Sequence, residues 1–332
     1  MDSLTQIALG ASVCGVLLSQ KMGRKALLVG AIVGTVPDLD VVIPYGDDIA
    51  NFTYHRGFTH SILFCLFMTW PLAWLFSRFK SLQVTAHDLR FNLTIFLILL
   101  THILLDAMTI YGTQLFWPSQ IQPVGLGSVF IIDPMYTLPM LIALGLFLGK
   151  PHWHKAISAG LVISTLYLVW SAVAQNTIER RVMAQLPDNI TTEQVLVQPT
   201  VLNTLLWRIL VMQPDGYQVA YYSVFDRGDD LRFKSYDSDH ALLTSIADSF
   251  GVKRLRWFNK GLYAVDETNN QITITDLRMG MEPNQYVFSF AVGQRDDLGQ
   301  ITQGPNSAIA QGRDMGTLSK IWARIWDENI GL

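Results

Sequence analysis

Residues 1–175 contain no glutamate. They carry 9 Lys/Arg and 8 Asp, set between long apolar segments, whereas residues 176–332 carry 15 Lys/Arg and 19 Asp/Glu. An apolar segment of about 20 residues is as long as the hydrocarbon core of a bilayer is thick. A backbone crossing that core must satisfy its own hydrogen bonds, which leaves helices or a closed barrel. The segments here are continuously apolar rather than alternating, so they are read as helices. The chain as a whole is 50% hydrophobic and only 15% charged, more apolar than an ordinary soluble domain. The reading is a membrane all-α helical bundle over residues 1–175, followed by a soluble α+β domain over 176–332. A net charge of −3 leaves no nucleic-acid footprint. The expected partner surface is the lipid bilayer.

Four segments read as clear spans: residues 58–78, 90–110, 129–149 and 155–175. Two earlier ones are weaker, because 4–19 is short and 26–43 is interrupted by Pro37, Asp38 and Asp40. Ala26, Gly30 and Gly34 recur every four positions, a spacing that lets helices approach closely. Residues 4–19 and 26–36 are therefore read as a helical hairpin packed into the bundle. The N-terminal residues lack the basic n-region of a cleavable signal peptide. Cys14 and Cys65 both lie in apolar segments and are read as small buried hydrophobes.

Basic residues give these segments a direction. Lys21, Arg24, Lys25, Arg78, Lys80, Arg90, Lys150 and Lys155 fall in one set of loops, while residues 37–57 and 111–128 hold only Arg56. The positive-inside rule makes the first set cytoplasmic. The second set and the C-terminal half are then expected to face the periplasm or exterior. Of the eight Asp in the membrane half, all but Asp88 lie at or near outer segment ends, as do His55, His60 and His102. Ionisable groups at such positions are functional-site candidates.

His102 and Asp106 are four apart and share a helical face. The turn Pro37-Asp38-Leu39-Asp40 can aim two carboxylates at one point, and His55 and His60 bracket Arg56, Gly57 and Thr59. Imidazole with carboxylate is the ligand set of zinc, and equally of manganese or iron, and several such residues can hold more than one divalent ion. Singly, each has a plainer use: His102 as an interhelical hydrogen-bond partner, Asp106 as a cap or as a partner of Arg56. Jointly, three His and at least three Asp at one depth point to a site.

Taken together these motifs resemble the YdjM-like family of bacterial inner-membrane proteins, inferred to be metal-dependent hydrolases. The matching pieces are Met1-Asp2-Ser3-Leu4-Thr5 with Gly10, Pro37-Asp38-Leu39-Asp40, and His55-Arg56-Gly57-Phe58-Thr59-His60-Ser61. His102-x-x-Leu105-Asp106 and Thr109-x-x-Gly112-Thr113-x-Leu115-Phe116-Trp117-Pro118 follow in order. Asp133-Pro134-x-Tyr136-Thr137-Leu138-Pro139 and the C-terminal half look like a longer branch of the family. The resemblance implies Asp38, Asp40, His55, His60, His102 and Asp106 as metal ligands. Arg56, Asp40 and Thr59 are then the candidate catalytic or substrate-binding groups, and Asp2, Gln6 and Asp133 possible additions. Gln6 stands where many shorter members have His, which puts one ligand in doubt. The His-x3-Asp pair with upstream Asp and His is also similar, more remotely, to helical zinc phospholipases C and single-strand nucleases.

In the C-terminal half, residues 207–211, 217–225, 253–258, 262–266, 271–276 and 286–292 read as strands of a mostly antiparallel sheet. Helices are expected near 239–250 and 313–328, and the last span is expected to continue through Glu179, Arg180 and Arg181. Ile272-Thr273-Ile274-Thr275 alternates with period two. No catalytic constellation stands out here, so a lid, substrate-selecting or partner-binding role is expected.

The leading function is a membrane-bound, metal-dependent hydrolase of a phosphoester or lipid-linked substrate, working at the outer membrane–water interface of the bacterial inner membrane. A non-catalytic envelope scaffold is one alternative. A metal- or proton-coupled transporter is another, but it calls for ionisable residues near the midplane and through to the far side. A zincin-type intramembrane protease would carry His-Glu-x-x-His, and this half has no Glu.

Overall fold

The computed structural model describes residues 1–228, 231–283, 285–310 and 316–332. It divides into two compact units, Met1–Ile43 with Arg56–Ala172, and Pro44–His55 with Val173–Leu332.

The first unit is helical. Helix α1 (Ser3–Met22) starts at Asp2, whose carboxylate accepts the Thr5 N–H at 3.1 Å, and stops at Gly23, where φ is +58°. Helix α2 (Lys25–Gly34) folds back along it. A Cβ added to Gly30 would lie 2.2 Å from the Gly10 carbonyl oxygen, and one added to Gly10 would lie 2.3 Å from that of Gly30. The two backbones are in contact, and only glycine permits it. Helix α3 (Asp48–Tyr54) belongs to the second unit.

Helices α4 (Ile62–Ser77) and α5 (Leu89–Met108) are capped by Ser61 and Asp88, which accept the N–H groups of Phe64 and Phe91. Helix α6 (Pro134–Gly149) starts at the Asp133 cap, with proline in the position where a missing N–H costs nothing. Helix α7 (His154–Met183) is 30 residues long. Helix α1 packs on α2, α5 and α6, around a core that includes Cys14, Ala26, Cys65, Phe91, Leu99 and Met140. Both cysteines are buried free thiols.

Among the described residues, three helices, α1, α5 and α7, are long and apolar enough to cross a membrane. A fourth crossing results if Asp48–His60 and Ile62–Ser77 count as one broken span. This revises the expected four clear spans. Residues 4–19 extend through Lys21 to Met22, so the segment read as short is of full length. Conversely, residues 129–149 yield only the 16-residue α6, because Pro134 cannot continue a helix from before Asp133. Residues 58–78 break at Ser61, which caps α4.

In the second unit, strands β1 (Val195–Pro199), β2 (Leu206–Gln213), β3 (Gly216–Ser223) and β4 (Lys234–Asp237) form an antiparallel sheet in that order. Ala174, Ile178 and Val182 of α7 share a buried cluster with Trp207, Ile209 and Tyr222 of this sheet. Helix α8 (Phe250–Asn259) leads into β5 (Tyr263–Thr268) and β6 (Gln271–Asp276). The short pair β7 (Gly280–Met281) and β8 (Gln285–Tyr286) follows, then β9 (Ser289–Arg295), β10 (Ile301–Ala308) and helix α9 (Gly316–Trp326). A second antiparallel sheet runs β10-β9-β6-β5. Residues 253–258, expected as a strand, lie inside α8: Val252, Leu255 and Phe258 are buried at every third position, a helical period. Part of the expected helix at 239–250 is a 3-10 turn, His240–Ile246.

Candidate metal centre

One end of the first unit gathers its acidic and imidazole groups. Asp38 sits in the 3-10 turn Pro37–Val42 that follows α2, and His60 ends the 3-10 turn Phe58–His60 that precedes α4. His102 and Asp106 lie one turn apart near the end of α5. Each of these four offers one ligand atom, and those atoms all lie within 4.8 Å of one another. Among the described residues this is the single such group. His60 Nε2 lies 3.2 Å from Asp106 Oδ2 and 3.4 Å from Asp38 Oδ1, and His102 Nε2 lies 3.5 Å from each of the same oxygens. His60, His102 and Asp106 are buried, while the Asp38 side chain keeps 25% of its exposure.

The tautomers are set from behind. His102 Nδ1 is 2.7 Å from the Gly34 carbonyl oxygen, so Nδ1 carries the proton and Nε2 the lone pair. Thr59 donates its hydroxyl to Asp40 Oδ2 at 3.0 Å, and His60 Nδ1 lies 3.0 Å from the same hydroxyl oxygen. His60 therefore donates from Nδ1 to Thr59 and turns its Nε2 lone pair to the cluster. No hydrogen bond of normal geometry reaches His102 Nε2 or Asp106 Oδ2, although both atoms are buried. Buried polar atoms left in this state are costly. Two imidazole nitrogens and two carboxylates around one point are the donor set of a divalent ion such as zinc, manganese or iron. The residues fit a metal, and the cluster could hold one.

The other expected residues are placed differently. Asp40 is not in the quartet; it lies behind His60 and also accepts the Arg56 backbone N–H at 2.9 Å. His55 belongs to the second unit, at the C-cap of α3, and is not in the quartet either. Four of the six expected ligands thus stand together in the quartet. Arg56 is buried with its backbone at φ +58°. Its guanidinium lies 3.4 Å from Asp106 Oδ1, donates to Thr109 Oγ1 at 3.2 Å and stacks on Tyr111. It is a counter-charge to a candidate ligand rather than an open clamp. The Met1 α-amine contacts the same Asp106 oxygen.

Gln6 donates from Nε2 to Asp106 Oδ1 at 3.1 Å. Asp2 is the cap of α1 and accepts the Thr5 hydroxyl. Asp133 caps α6, and its second oxygen accepts the Tyr167 hydroxyl at 2.9 Å. In the sequence Gly34 carries only a helix-packing role, and Thr109 and Tyr111 carry none. A backbone carbonyl leaves no mark in a sequence, but Thr109 stands in the motif that follows Asp106 and could have been singled out.

A family model described as YdjM inner membrane protein matches residues 1–178. The chain belongs to that family. All four residues of the quartet fall within the matched stretch. The chain is also similar to uncharacterized protein YfhP of Bacillus subtilis (strain 168), 25% identical over 233 residues that cover 66% of this chain and 68% of the relative. No solved structure matches.

Proposed function

We propose that this family member is a membrane-bound, metal-dependent hydrolase acting on a phosphoester or lipid-linked substrate. The observation that carries the reading is the quartet of Asp38, His60, His102 and Asp106, with no hydrogen bond of normal geometry at Nε2 of His102 or Oδ2 of Asp106. These four would hold the ion, with zinc preferred and manganese or iron as alternatives. When bound, the ion supplies Lewis-acid polarisation and lowers the pKa of water. The rest is done by the chain. Asp40 and Thr59 fix the His60 ring, and Gly34 fixes that of His102. Arg56 neutralises Asp106. Asp38, the partly exposed member, marks the side from which substrate enters. We place the site and the second unit on the periplasmic or outer face, with the bilayer as partner.

Metal analysis of the purified full-length protein tests the reading. About one transition-metal ion per chain is expected, and a His60→Ala/Asp106→Ala double variant should lose it. A metal-replete wild-type protein that binds none would remove the hydrolase reading and leave a non-catalytic scaffold.

A further inference from the structure

Between Asp40 and His60 the chain makes an excursion that the chemistry above does not use. Residues Pro44–His55 leave the first unit and are part of the second. There Phe52 is buried, with its ring centroid 4.8 Å from that of Phe258, 4.4 Å from Phe288 and 5.2 Å from Phe290. Arg254 of α8 donates to the Thr53 hydroxyl at 2.9 Å and to its carbonyl at 3.1 Å, and covers the Tyr54 ring. Asp47 accepts from Asn306, and Asp48 accepts the Ala308 N–H. A helix of seven residues is not stable alone, so α3 exists because the second unit holds it.

Both ends of this excursion are site. Ile43 is three residues beyond Asp40, and Arg56 follows His55 directly. The base of the excursion is closed by the hydrogen bond from the Arg56 N–H to Asp40 Oδ2 at 2.9 Å, with Thr59 on the same oxygen. At that closure Arg56 has a left-handed backbone conformation, which an L residue with a side chain adopts only when its surroundings hold it there.

We infer that the second unit is the positioning element of the metal centre: by gripping Pro44–His55 it sets the Asp38–Asp40 turn against the Arg56–His60 segment. Phe52 and Arg254 are then positioning residues that act through the chain and touch no ion. The inference rests on the metal reading for its function and on the excursion for its mechanics. Coupling of this kind is reciprocal, so an ion that orders the site must tighten the hold on α3 by the same factor.

The test uses the full-length protein in detergent, with Zn2+ alone titrated against a competing chelator and hydrogen exchange followed in parallel. Phe52→Ala is expected to raise exchange in residues 44–55 and also in 37–43 and 56–61. It should weaken Zn2+ binding roughly tenfold, within the usual range of coupling between sites, and Phe52→Leu should restore most of both. Two results overturn the inference: residues 44–55 open while 37–43, 56–61 and Zn2+ affinity stay as in wild type, or 44–55 do not open at all. If wild type binds no Zn2+, the metal reading fails separately, and exchange in 37–43 and 56–61 decides the mechanical claim. If Phe52→Ala does not fold, Phe52→Leu and Arg254→Gln give milder versions of the same comparison.

Discussion

At the scale of single residues, the centre is a matter of which nitrogen carries a proton. His60 presents Nε2 because Nδ1 is held by Thr59, and Thr59 is held by Asp40. This chain of contacts predicts that Thr59→Val, which keeps the shape and removes the hydroxyl, weakens metal binding. Loss of a hydrogen bond that orients a ligand ring typically costs about 10- to 100-fold in metal affinity. Chelator competition on the purified variant measures it. Unchanged affinity would mean that Asp40 orients His60 without the hydroxyl, across their 3.6 Å separation. The four ligand candidates were legible in the sequence, because carboxylates and imidazoles are conspicuous in an apolar half. Their division of labour was not. Asp38 and Asp40 look equivalent in Pro37-Asp38-Leu39-Asp40, and only the 3-10 turn separates one into the cluster and the other behind His60. His55 and His60 look equally available until α3 takes His55 into the second unit.

At the scale of elements, legibility followed the length of the pattern. The glycine spacing in α2 foretold its close contact with α1, and β6 falls on the residues with clean alternation. Failures came where a window was short or interrupted. Residues 253–258 alternate enough to mimic a strand, and the helical period emerges only when Val252 is included. Strand β10 contains Gly304 and Pro305 and shifts register between Gln303 and Ser307, so it reads as loop. Strand β4 is polar and carries no apolar period. The α1–α2 contact is the most exacting of these elements, since a side chain at Gly30 would meet a backbone oxygen that cannot rotate away. Gly30→Leu should therefore destabilise the protein by at least the 1–3 kcal/mol, roughly, of ordinary overpacking. Because α2 also supplies the Gly34 carbonyl to His102, metal loading should fall with it. Thermal unfolding in detergent with and without Zn2+ checks both. A variant of wild-type stability would show that the helices can part without consequence.

At the scale of the whole molecule, the two ends of the first unit differ in charge, and the difference predicts an orientation. At one end Met1 and Gln6 reach Asp106, Gly34 reaches His102, and Thr5 of α1 meets Thr137 of α6, while at the other Lys21 pairs with Asp88, Lys25 donates to the Ser81 carbonyl and Arg90 to that of Leu17. Successive helices α1, α2, α4, α5 and α6 run alternately between these ends, whether or not each one crosses fully. The positive-inside rule predicts the basic end inside, so the candidate metal centre is expected at the outer boundary. Helix α7 begins beside Lys150 and Lys155 and is a candidate span. The chain beyond it is then expected outside as well. Cys14 and Cys65 are buried and should give little background labelling. In intact spheroplasts a membrane-impermeant maleimide should thus label Asp215→Cys in the second unit and leave Ser81→Cys unlabelled until the membrane is opened. The reverse pattern would turn the molecule over and put the centre in contact with cytoplasmic substrates. Labelling of both positions in intact spheroplasts would contradict the passage of α7 through the bilayer.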